Sequence, residues 1–485
     1  MSNNIKFGTD GWRSIIADDF TFENVGFVTR AIAEYLVKNT LDKRGIFIGY
    51  DNRFLSDEFA EHSADMLSSY GLKVFISSVS VPTPVTAFMV REMNLDGALM
   101  FTASHNPPKY NGIKFIPDYG GPADNSVTGK IEQELKKVIK GEKRPKPSTK
   151  GIVKHISDYS SYINKLLEVV DKDLIIQVKP KVAADTMFGA GSKILPLILN
   201  EKLNLNSIIM NNWRDPLFGQ RLPDPSEENL EKLLENIKKS GLDIGVALDG
   251  DADRFGIIDG KGVYISPNNA IAIILFYLTE KGKYENGDRV VRTVATTHLI
   301  DEICREKEIE IKETPVGFKY IGKAMLEGNV LIGGEESGGL SIKEHIPEKD
   351  GLLASLLMIE IQSFLNREYN GKYLSDYLND LYNKFGTFYN IRLDIEVPED
   401  KKQKIMDYFN TQKGKKIGQN KVLDINPKDG VKLLLEKEKA WLLVRPSGTE
   451  PLIRCYIETV NKSFFNLLKN YVKEKINNII GLETN

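Results

Sequence analysis

The sequence predicts an α/β protein made of three α/β layers in tandem, followed by a smaller α+β unit. The chain has 485 residues, which is too long for one core at about 100 to 200 residues per domain. Three segments repeat an apolar β-type run, a polar residue at its carboxyl end and a helical stretch. The last part of the chain instead alternates apolar and polar residues before a charged helical stretch.

The repeated pattern occupies residues 45–67, 181–199 and 288–307. In these segments GIFIGYDNR leads into FLSDEFAEHSADML, KVAADTMFG leads into AGSKILPLIL, and DRVVRTVATT leads into HLIDEICREK. Strand-then-helix units of this kind build mixed or parallel sheets covered by helices, and their ligands bind beyond the carboxyl ends of the strands. We therefore expect functional residues directly after strands.

Composition places two unit boundaries. Residues 132–151, EQELKKVIKGEKRPKPSTKG, are rich in Lys and Pro, as is typical of a surface helix that runs into an exposed linker. The first unit is therefore expected to end near residue 150. The alternating IRLDIEV and the helix-like PEDKKQKIMDYFN fill residues 391–410, so the last unit is expected to begin near residue 380.

Charge, cysteine content and hydropathy exclude several classes of protein. The 65 basic and 67 acidic residues give a net charge of -2, which offers no overall attraction to nucleic acid or to an anionic membrane. Cys304 and Cys455 are far apart, so neither a disulfide scaffold nor a zinc site is expected. MSNNIKFGTDGW lacks the features of a secretory signal, and the longest apolar run, 270–278, is about half of the roughly 20 residues of a membrane helix. We expect a cytoplasmic protein.

A serine follows the apolar run GALMF in the segment TASHNPP. The turn exposes the hydroxyl of Ser104, and Lys109 and Lys114 follow within ten residues. These cations could balance the nearly two negative charges of a phosphoserine. A Ser or Asn that only caps a turn remains the alternative for this motif alone. A serine hydrolase is disfavoured, because GxSxG is missing and His105 is adjacent rather than distant in sequence.

Three aspartates at alternate positions, Asp249, Asp251 and Asp253, follow the apolar run DIGVAL. Carboxylates this close repel one another unless a cation binds them, and hard oxygen ligands suit Mg²⁺ or Ca²⁺. An EF-hand is excluded, because Arg254 stands where that loop needs glycine and Gly260 stands where it needs glutamate. A solvated acidic loop remains the alternative. The pattern favours Mg²⁺ with open positions for a phosphoryl oxygen.

Two further loops carry polar groups suited to a sugar phosphate. GGEESGG follows NVLI and places the carboxylates of Glu335 and Glu336 and the hydroxyl of Ser337 on a glycine-rich loop. A carboxylate can accept hydrogen bonds from two neighbouring sugar hydroxyls, although an ordinary glycine-rich turn stays open.

RPSGTEP lies between the strand-like runs AWLLV and LIRCYIE. The guanidinium of Arg445, the hydroxyls of Ser447 and Thr449 and the amides around Gly448 can all donate to a phosphate, and Arg454 follows closely. A hairpin with a solvated arginine is the alternative. The sequence thus combines a serine loop, an acidic loop, a carboxylate loop and an anion cradle.

Together these segments resemble the α-D-phosphohexomutase superfamily, the phosphoglucomutase and phosphomannomutase enzymes, over essentially the whole chain. The matching motifs, in order, are GTDGWR (8–13), GYDNRFLS (49–56), TASHNPPKYNGIKF (102–115), DGDADR (249–254), TPVGFKYIG (314–322), GEESGG (334–339) and RPSGTEP (445–451). The resemblance implies three related α/β domains and a smaller C-terminal α+β domain around a central cleft. The expected domains, which carry the serine, metal, sugar and phosphate loops in turn, are 1–150, 151–256, 257–379 and 380–485.

The resemblance also implies roles for individual residues. Ser104 would carry the phosphoryl group, and Asp249, Asp251 and Asp253 would bind Mg²⁺ together with it. The residues expected to stabilise charge or move a proton are Arg13, Arg254, Lys114 and His105, the last two as possible proton carriers. The expected substrate contacts are Glu335, Ser337, His345, Lys349, Gly317, Arg445, Ser447, Gly448, Thr449 and Arg454.

The implied reaction moves a phosphoryl group between positions 1 and 6 of a hexose. Phospho-Ser104 would give its phosphoryl group to a hexose monophosphate, and the 1,6-bisphosphate would turn over and return its other phosphate. Glucose 1,6-bisphosphate is therefore expected as activator and intermediate, and hexose phosphates are the expected partners of a monomer or dimer.

The sugar loop departs from one pattern within the family. It ends in Gly338-Gly339, where the phosphomannomutase and phosphoglucosamine enzymes commonly have Gly-His. HIPEKDG, residues 345–351, is similar to a segment of the phosphoglucomutases. Glucose is therefore expected, with mannose, both sugars or glucosamine as alternatives. A non-catalytic sugar-phosphate binding protein and a phosphatase that uses Ser104 are the remaining hypotheses.

Overall fold

The structure, a computed structural model, describes residues 5–6, 11–142, 149–437, 439–448 and 450–481, and these residues form four β-sheets. The strands of the first sheet are β1 (Trp12–Ile15), β2 (Ile46–Tyr50), β3 (Val74–Ser77), β4 (Gly97–Phe101), β5 (Tyr110–Pro117) and β6 (Val153–Ile156). Their order is β1-β5-β4-β2-β3-β6, in which β4, β2, β3 and β6 run parallel and β5 runs antiparallel to both of its neighbours.

The second and third sheets are mixed as well. The strands of the second are β7 (Val182–Asp185), β8 (Ile208–Met210), β9 (Ile244–Leu248), β10 (Phe255–Asp259) and β11 (Tyr264–Ile265), in the order β11-β10-β9-β7-β8. Those of the third are β12 (Arg289–Thr293), β13 (Glu310–Thr314), β14 (Val330–Glu335) and β15 (Gly339–Ile342), in the order β13-β12-β14-β15. Strands β8, β7 and β9 run parallel, as do β13, β12 and β14.

The fourth sheet is antiparallel. Its strands are β16 (Tyr389–Glu396), β17 (Lys416–Ile417), β18 (Asn420–Asn426), β19 (Val431–Leu435), β20 (Trp441–Pro446) and β21 (Leu452–Thr459), in the order β16-β21-β20-β19-β18-β17. From Ile391 onward, half-buried and exposed residues alternate along β16, as expected of an antiparallel strand with one solvated face.

Helices cover the sheets. They are α1 (Phe22–Lys38), α2 (Ser56–Ser69), α3 (Thr83–Glu92), α4 (Asn125–Ile139), α5 (Ser160–Val169), α6 (Lys172–Val178), α7 (Ile194–Pro196), α8 (Glu231–Ser240), α9 (Pro267–Glu280), α10 (Leu299–Glu306), α11 (Phe318–Leu326), α12 (Gly351–Glu368), α13 (Leu374–Phe385), α14 (Glu399–Asn410) and α15 (Lys462–Ile480). Side chains at the helix starts accept orphan backbone N–H groups: Thr21 caps α1 and Asp350 caps α12. The predicted fold class, mixed sheets covered by helices with a smaller final α+β unit, is confirmed.

The hydrophobic core explains how the sheets are arranged. One continuous cluster of buried residues runs from Phe47 in β2 to Phe388, so the first three sheets share apolar packing. Helix α12, which is buried along most of its length, packs against β15 of its own sheet and against β9 and β10 of the second. A separate cluster between Val397 and Ile476 stabilises the fourth sheet with α14 and α15.

The pairing of strands bears on the expected domain limits. Strand β6 lies beyond residue 150 and pairs with β3, and β10 and β11 extend the second sheet beyond residue 256. Helix α13 runs across residue 380. Composition and sequence motifs mark exposed chain and loops but not strand pairing, which explains these offsets. The four-domain division stays a prediction, and we propose to move its limits past Ile156, Ile265 and Phe385.

Among the helices of the described residues, none combines the length and the hydropathy needed to span a lipid bilayer.

Candidate active site

Ser104 lies just beyond the carboxyl end of β4, in the loop that leads to β5. Its backbone has a left-handed φ of 51°, which is strained for a residue other than glycine. Its N–H donates to Oγ1 of Thr102 at 2.8 Å. The hydroxyl of Ser104 donates to Oδ2 of Asp249 at 2.8 Å and lies 3.2 Å from Nδ1 of His105. The predicted phosphoryl carrier therefore lies beside the predicted metal loop.

The three aspartates occupy the turn between β9 and β10. All are fully buried, and each offers a carboxylate oxygen within 4.8 Å of the others. Oδ1 of Asp249 accepts the N–H groups of Asp253 and Arg254 at 3.0 and 3.1 Å, which closes the turn and makes the side chains converge. Burial, followed by the charges of Asp251 and Asp253, raises the pKa of Asp249 well above its ordinary value.

The residues of this turn fit a magnesium ion. Oδ1 of Asp251 and Oδ1 of Asp253 are buried, and within the described chain they have no hydrogen-bond partner. Together with the hydroxyl of Ser104 they form an all-oxygen donor set, which Mg²⁺ prefers. A divalent cation would also offset the repulsion between carboxylates buried so close together. The predicted ligands therefore converge on one place.

Lysines from two other segments contact the acidic turn. Nζ of Lys114 in β5 lies 2.8 Å from Oδ2 of Asp251 and 3.1 Å from Oδ2 of Asp253, and Nζ of Lys349 lies 3.1 Å from Oδ2 of Asp253. Burial alone would raise the pKa of Asp253, but Lys114, Lys349 and Arg254 together hold it well below its usual range. Asp253 is therefore a carboxylate at neutral pH.

His105 contacts the hydroxyl of Ser104, and Arg13 and Arg254 lie close to His105. Arg13 donates to Oδ1 of Asn106 at 2.8 Å, and Nε of Arg254 lies 4.0 Å from Oδ1 of Asp253. Burial, followed by the charges of Arg254 and Arg13, lowers the pKa of His105 well below its ordinary value. The imidazole is therefore neutral at neutral pH, and its Nδ1 can accept a hydrogen bond from Ser104.

The sugar-loop residues lie where β14 turns into β15. The hydroxyl of Ser337 donates to Oε1 of Glu335 at 2.9 Å. Burial raises the pKa of Glu335, against the charge of Lys349. A Cβ atom at Gly339 would lie 2.6 Å from Cδ of Lys349, so glycine leaves the space for this lysine. Lys349 therefore connects the sugar loop with Asp253.

His345 and Gly317 lie next to helix starts. Nε2 of His345 lies 2.8 Å from Oδ2 of Asp350, the N-cap of α12, and the hydroxyl of Tyr162 donates to the same oxygen. His345 also lines a cavity of about 680 Å³. Gly317 is the N-cap of α11 and has a φ of 124°, which favours glycine. The roles of both residues as substrate contacts stay predictions.

The arginines of the fourth loop pair with carboxylates. Arg445 forms an ion pair with Asp429 at 2.8 Å, and Arg454 forms one with Glu450 at 2.6 Å. Ser447 lies in the turn between β20 and β21, and its hydroxyl lies 3.4 Å from Oε2 of Glu450. The segment of the predicted cradle therefore forms a turn with guanidinium groups on either side, and its role in binding phosphate stays a prediction.

The structure brings three of the four predicted loops together. Lys114 and Lys349 connect the acidic turn with the serine and sugar loops. Within the described chain, Arg445, Ser447 and Arg454 have no hydrogen bond or ion pair with Ser104 or the aspartates. Gly448 lies in the same turn, and Thr449 lies outside the described residues.

Sequence reasoning missed two residues that contact these loops. The hydroxyl of Thr83, at the start of α3, donates to Oδ2 of Asp251 at 2.6 Å. Arg53, inside the GYDNRFLS motif, donates to backbone carbonyls of the serine loop, among them that of Ser104 at 2.6 Å. Arg53 stood in a motif that could have drawn attention to it, whereas Thr83 gave no local signal.

Family models match nearly all of the chain. Each describes one part of the phosphoglucomutase/phosphomannomutase family: alpha/beta/alpha domain I at residues 4–142, domain II at 160–262, domain III at 266–385 and the C-terminal domain at 394–475. The serine, acidic, sugar and cradle loops fall into these four matches in that order.

Individual relatives agree with this result. A phosphoglucomutase/phosphomannomutase of Thermococcus kodakarensis is 31% identical over 93% of this chain and 94% of its own. A phosphoglucosamine mutase of Methanocaldococcus jannaschii is 32% identical over 81% of this chain and 83% of its own. A solved structure from Thermus thermophilus, assigned as a phosphomannomutase, superposes with a TM-score of 0.83 at 30% identity and covers 98% of this chain and all of that one.

The order of the loops, the converging serine and aspartates, and these relatives lead to one conclusion. The chain belongs to the phosphoglucomutase/phosphomannomutase family of the α-D-phosphohexomutase superfamily, and it is an enzyme, a phosphohexomutase.

Proposed function

We propose that this phosphohexomutase interconverts glucose 1-phosphate and glucose 6-phosphate through a phosphoserine at Ser104 and a glucose 1,6-bisphosphate intermediate. The observation that carries the proposal is the 2.8 Å contact between the hydroxyl of Ser104 and the carboxylate of Asp249. In this contact the oxygen that would carry the phosphoryl group lies directly against the acidic turn.

The transfer breaks one P–O bond and forms another. The phosphoryl group leaves Oγ of phospho-Ser104 and bonds to the free hydroxyl of the hexose monophosphate. The proton of that hydroxyl passes to a base, and Oγ of Ser104 takes up a proton to become the free serine hydroxyl. Neutral His105, whose Nδ1 lies 3.2 Å from the hydroxyl of Ser104, and Lys114 in β5, whose Nζ lies 2.8 Å from Oδ2 of Asp251, are the candidates for moving the proton of the sugar hydroxyl. In the second half, the phosphate at the other position of the bisphosphate returns to Ser104.

Charge neutralisation and positioning account for most of the catalysis in such a transfer. Arg13, Arg254 and Lys114 supply positive charge around Ser104. Mg²⁺, held by Asp249, Asp251, Asp253 and the phosphorylated serine, would neutralise negative charge on the transferred group. Arg445 and Arg454 would hold the phosphate that does not react, which requires the fourth loop to approach the serine loop in the complex.

The surroundings of Gly339 support glucose as the sugar. In the family pattern stated above, histidine commonly follows the glycine of this loop in enzymes that act on mannose or glucosamine. Here the stem of Lys349 fills the space that a side chain at position 339 would take. Glu335 and Ser337 remain available to accept and donate hydrogen bonds to the sugar hydroxyls.

Glucosamine phosphate is the second candidate, because the Methanocaldococcus jannaschii relative carries that name at 32% identity. A buried carboxylate such as Glu335 would suit the ammonium group of this sugar as well as a hydroxyl. Phosphomannomutase or dual specificity comes next. The cytoplasmic location and the monomeric or dimeric state stay predictions.

One assay tests the proposal. Glucose, mannose and glucosamine 1-phosphates are supplied in turn, with Mg²⁺ and a trace of the matching bisphosphate, and the 6-phosphate is measured. The proposal requires the highest kcat/KM for glucose 1-phosphate and no turnover in Ser104→Ala. Preference for glucosamine would replace the substrate but keep the mechanism, whereas release of free phosphate without isomerisation would indicate a phosphatase.

A further inference from the structure

Residues Asp51, Asn52 and Arg53 form a buried polar turn at the carboxyl end of β2, hereafter the 51–53 turn. The exposed fraction of each residue is 1% or less. Polar side chains buried this completely are destabilising unless hydrogen bonds satisfy them. Their partners therefore show what this turn does.

Arg53 binds the loop that carries Ser104. Its guanidinium donates to the carbonyls of Ser104 and Asn106 at 2.6 and 2.7 Å, and to those of Pro107 and Tyr110, both at 2.9 Å. A planar guanidinium can reach several carbonyls at once because its donors form a rigid fork. This single side chain therefore fixes the path of the loop from Ser104 to Tyr110.

Asp51 orients that guanidinium. Its Oδ2 lies 3.2 Å from Nε of Arg53 with both side chains fully buried. Its Oδ1 accepts the N–H of Arg53 and the hydroxyl of Ser56 at 3.0 and 2.9 Å. Nε of Arg53 thus forms an ion pair with Asp51, while the two terminal nitrogens of the guanidinium donate to the serine loop.

Asn52 binds a loop of the second sheet. Its amide nitrogen donates to the carbonyls of Phe188 and Gly189 at 2.6 and 2.9 Å. That loop packs on the acidic turn: the N–H of Ala190 donates to the carbonyl of Gly250 at 2.9 Å, and a Cβ at Gly189 would lie 2.8 Å from the carbonyl oxygen of Asp249. Asn52 therefore binds the loop against which the acidic turn packs.

Both loops that the 51–53 turn binds contain strained backbone. Ser104 has a φ of 51°, and Met187 and Phe188 have φ values of 48° and 58°. Left-handed conformations of such residues are strained and persist only where surrounding contacts enforce them. The contacts from Asn52 and Arg53 are of this enforcing kind.

We propose that the 51–53 turn is a positioning device for phosphoryl transfer. Arg53 fixes the loop of Ser104, Asn52 fixes the loop that supports Asp249, and adjacent positions in one turn keep the two loops in register. Neither side chain needs to touch the sugar phosphate, since both donate to backbone carbonyls. The inference rests on the proposed role of Ser104.

The test compares Arg53→Lys with Arg292→Lys. Arg292 is also a buried guanidinium, but it pairs with Asp301 and Glu313 in the third sheet. Both changes keep the charge and remove the fork.

At a temperature where both variants are folded, Arg53→Lys should slow phosphorylation of Ser104 by glucose 1,6-bisphosphate about 100-fold, as a misplacement of about 1 Å can. KM for the sugar phosphate should change by less than about threefold. Arg292→Lys should lower the melting temperature without slowing the transfer.

Asn52→Asp gives a second, independent readout. The carboxylate has the same shape but cannot donate to the carbonyls of Phe188 and Gly189, so a slower transfer is again expected. Asn200→Asp is the matched control, because that amide donates to the carbonyl of Ser207 elsewhere in the second sheet's unit. If Arg53→Lys yields no folded protein, the comparison of Asn52→Asp with Asn200→Asp tests the positioning role by itself.

The outcomes separate the inference from the proposed function. If the unaltered enzyme forms no phospho-Ser104, the proposed function fails. If it does, and Arg53→Lys or Asn52→Asp transfers phosphate no more slowly than its control, the positioning role is overturned. A slower transfer with an unchanged KM supports it.

Discussion

The hydroxyl of Ser104 donates a hydrogen bond of 2.8 Å to Asp249, although 145 positions separate the two residues and they follow strands of different sheets. This contact requires the first and second sheets to be docked in one fixed way. Their shared apolar core supplies the docking, and the 51–53 turn refines it.

Magnesium binding can be tested without turnover. Saturation at 100 times the Kd should stabilise the folded protein by about 2.7 kcal/mol, read as a higher melting temperature. Asp251→Asn should abolish the shift, because it removes one of the buried unpartnered oxygens. Asp118→Asn, a carboxylate away from the acidic turn that pairs with Arg44, should keep the shift. An equal shift in both variants would contradict the metal site.

Gly339→Ala should weaken substrate binding more than it affects stability. The new Cβ would lie 2.6 Å from Cδ of Lys349, so this flexible side chain must move away from Glu335 and Asp253. We expect KM to rise about tenfold, equivalent to about 1.4 kcal/mol for a lost charged contact. Steady-state kinetics with glucose 1-phosphate measure it.

Gly129→Ala is the matched control for that change. Gly129 lies within α4, and a Cβ there meets no atom within 4 Å. Alanine should stabilise the helix by about 0.5–1 kcal/mol and leave KM unchanged. An unchanged KM in Gly339→Ala as well would exclude Lys349 from the substrate site.

Asp429→Asn should weaken phosphate binding at the fourth loop. Oδ2 of Asp429 accepts the N–H of Val316 at 2.9 Å and pairs with Arg445 at 2.8 Å, so it joins the TPVGFKYIG motif to the cradle. Without this charge Arg445 loses its fixed direction, and we expect KM to rise about tenfold. Asp424→Asn, which removes an exposed pair with Lys413, serves as the control. Equal KM values in the two variants would refute the role.

Lys432 should make stability depend on pH at the junction of the third and fourth sheets. Its Nζ donates to the carbonyl of Val294 at 2.7 Å and lies 4.3 Å from the ring centre of Trp441. Burial, aided by Arg292 and opposed by Glu313 and Glu458, lowers the pKa of Lys432 to about 8.

The sign follows from proton binding. An unfolded lysine has a pKa of about 10.4, so between about pH 8 and 10 the unfolded chain binds more protons and the contribution of Lys432 to stability rises with pH. Lys432→Met should lose this rise, which amounts to about 3 kcal/mol at most. Urea unfolding, followed by tryptophan fluorescence at about pH 7.5 and at about pH 9.5, measures the difference. Identical pH dependence in wild type and variant would show that Lys432 titrates normally.

The strands that carry the site were accessible from the sequence because they are buried on both faces and appear as short apolar runs. GALMF became β4 and the run before Asp249 became β9, each followed by the predicted polar loop. Helix α2 begins at Ser56, within the helical stretch predicted after the first strand, and α14 begins at Glu399, within the predicted charged helical stretch.

What the sequence did not reveal depends on contacts between distant segments. Arg53 donates to residues more than 50 positions away, and Thr83, at the start of α3, donates to Asp251 in the turn of the second sheet. No local periodicity encodes such pairings. The segment 190–202 is helical, as its pattern predicts, but its hydrogen-bond spacing changes along the chain: a 3-10 turn at Ala190–Ser192 is followed by α7 and by a π-helix at Leu197–Lys202.

The most direct test follows one phosphoryl group. Enzyme labelled with phosphate at Ser104 is mixed with unlabelled glucose 1-phosphate, and the label is followed through a single turnover. The account predicts that the label leaves Ser104 and appears on the sugar at position 6, first in the bisphosphate and then in glucose 6-phosphate. Label that stays on the protein while product forms, or that appears only as free phosphate, would contradict it.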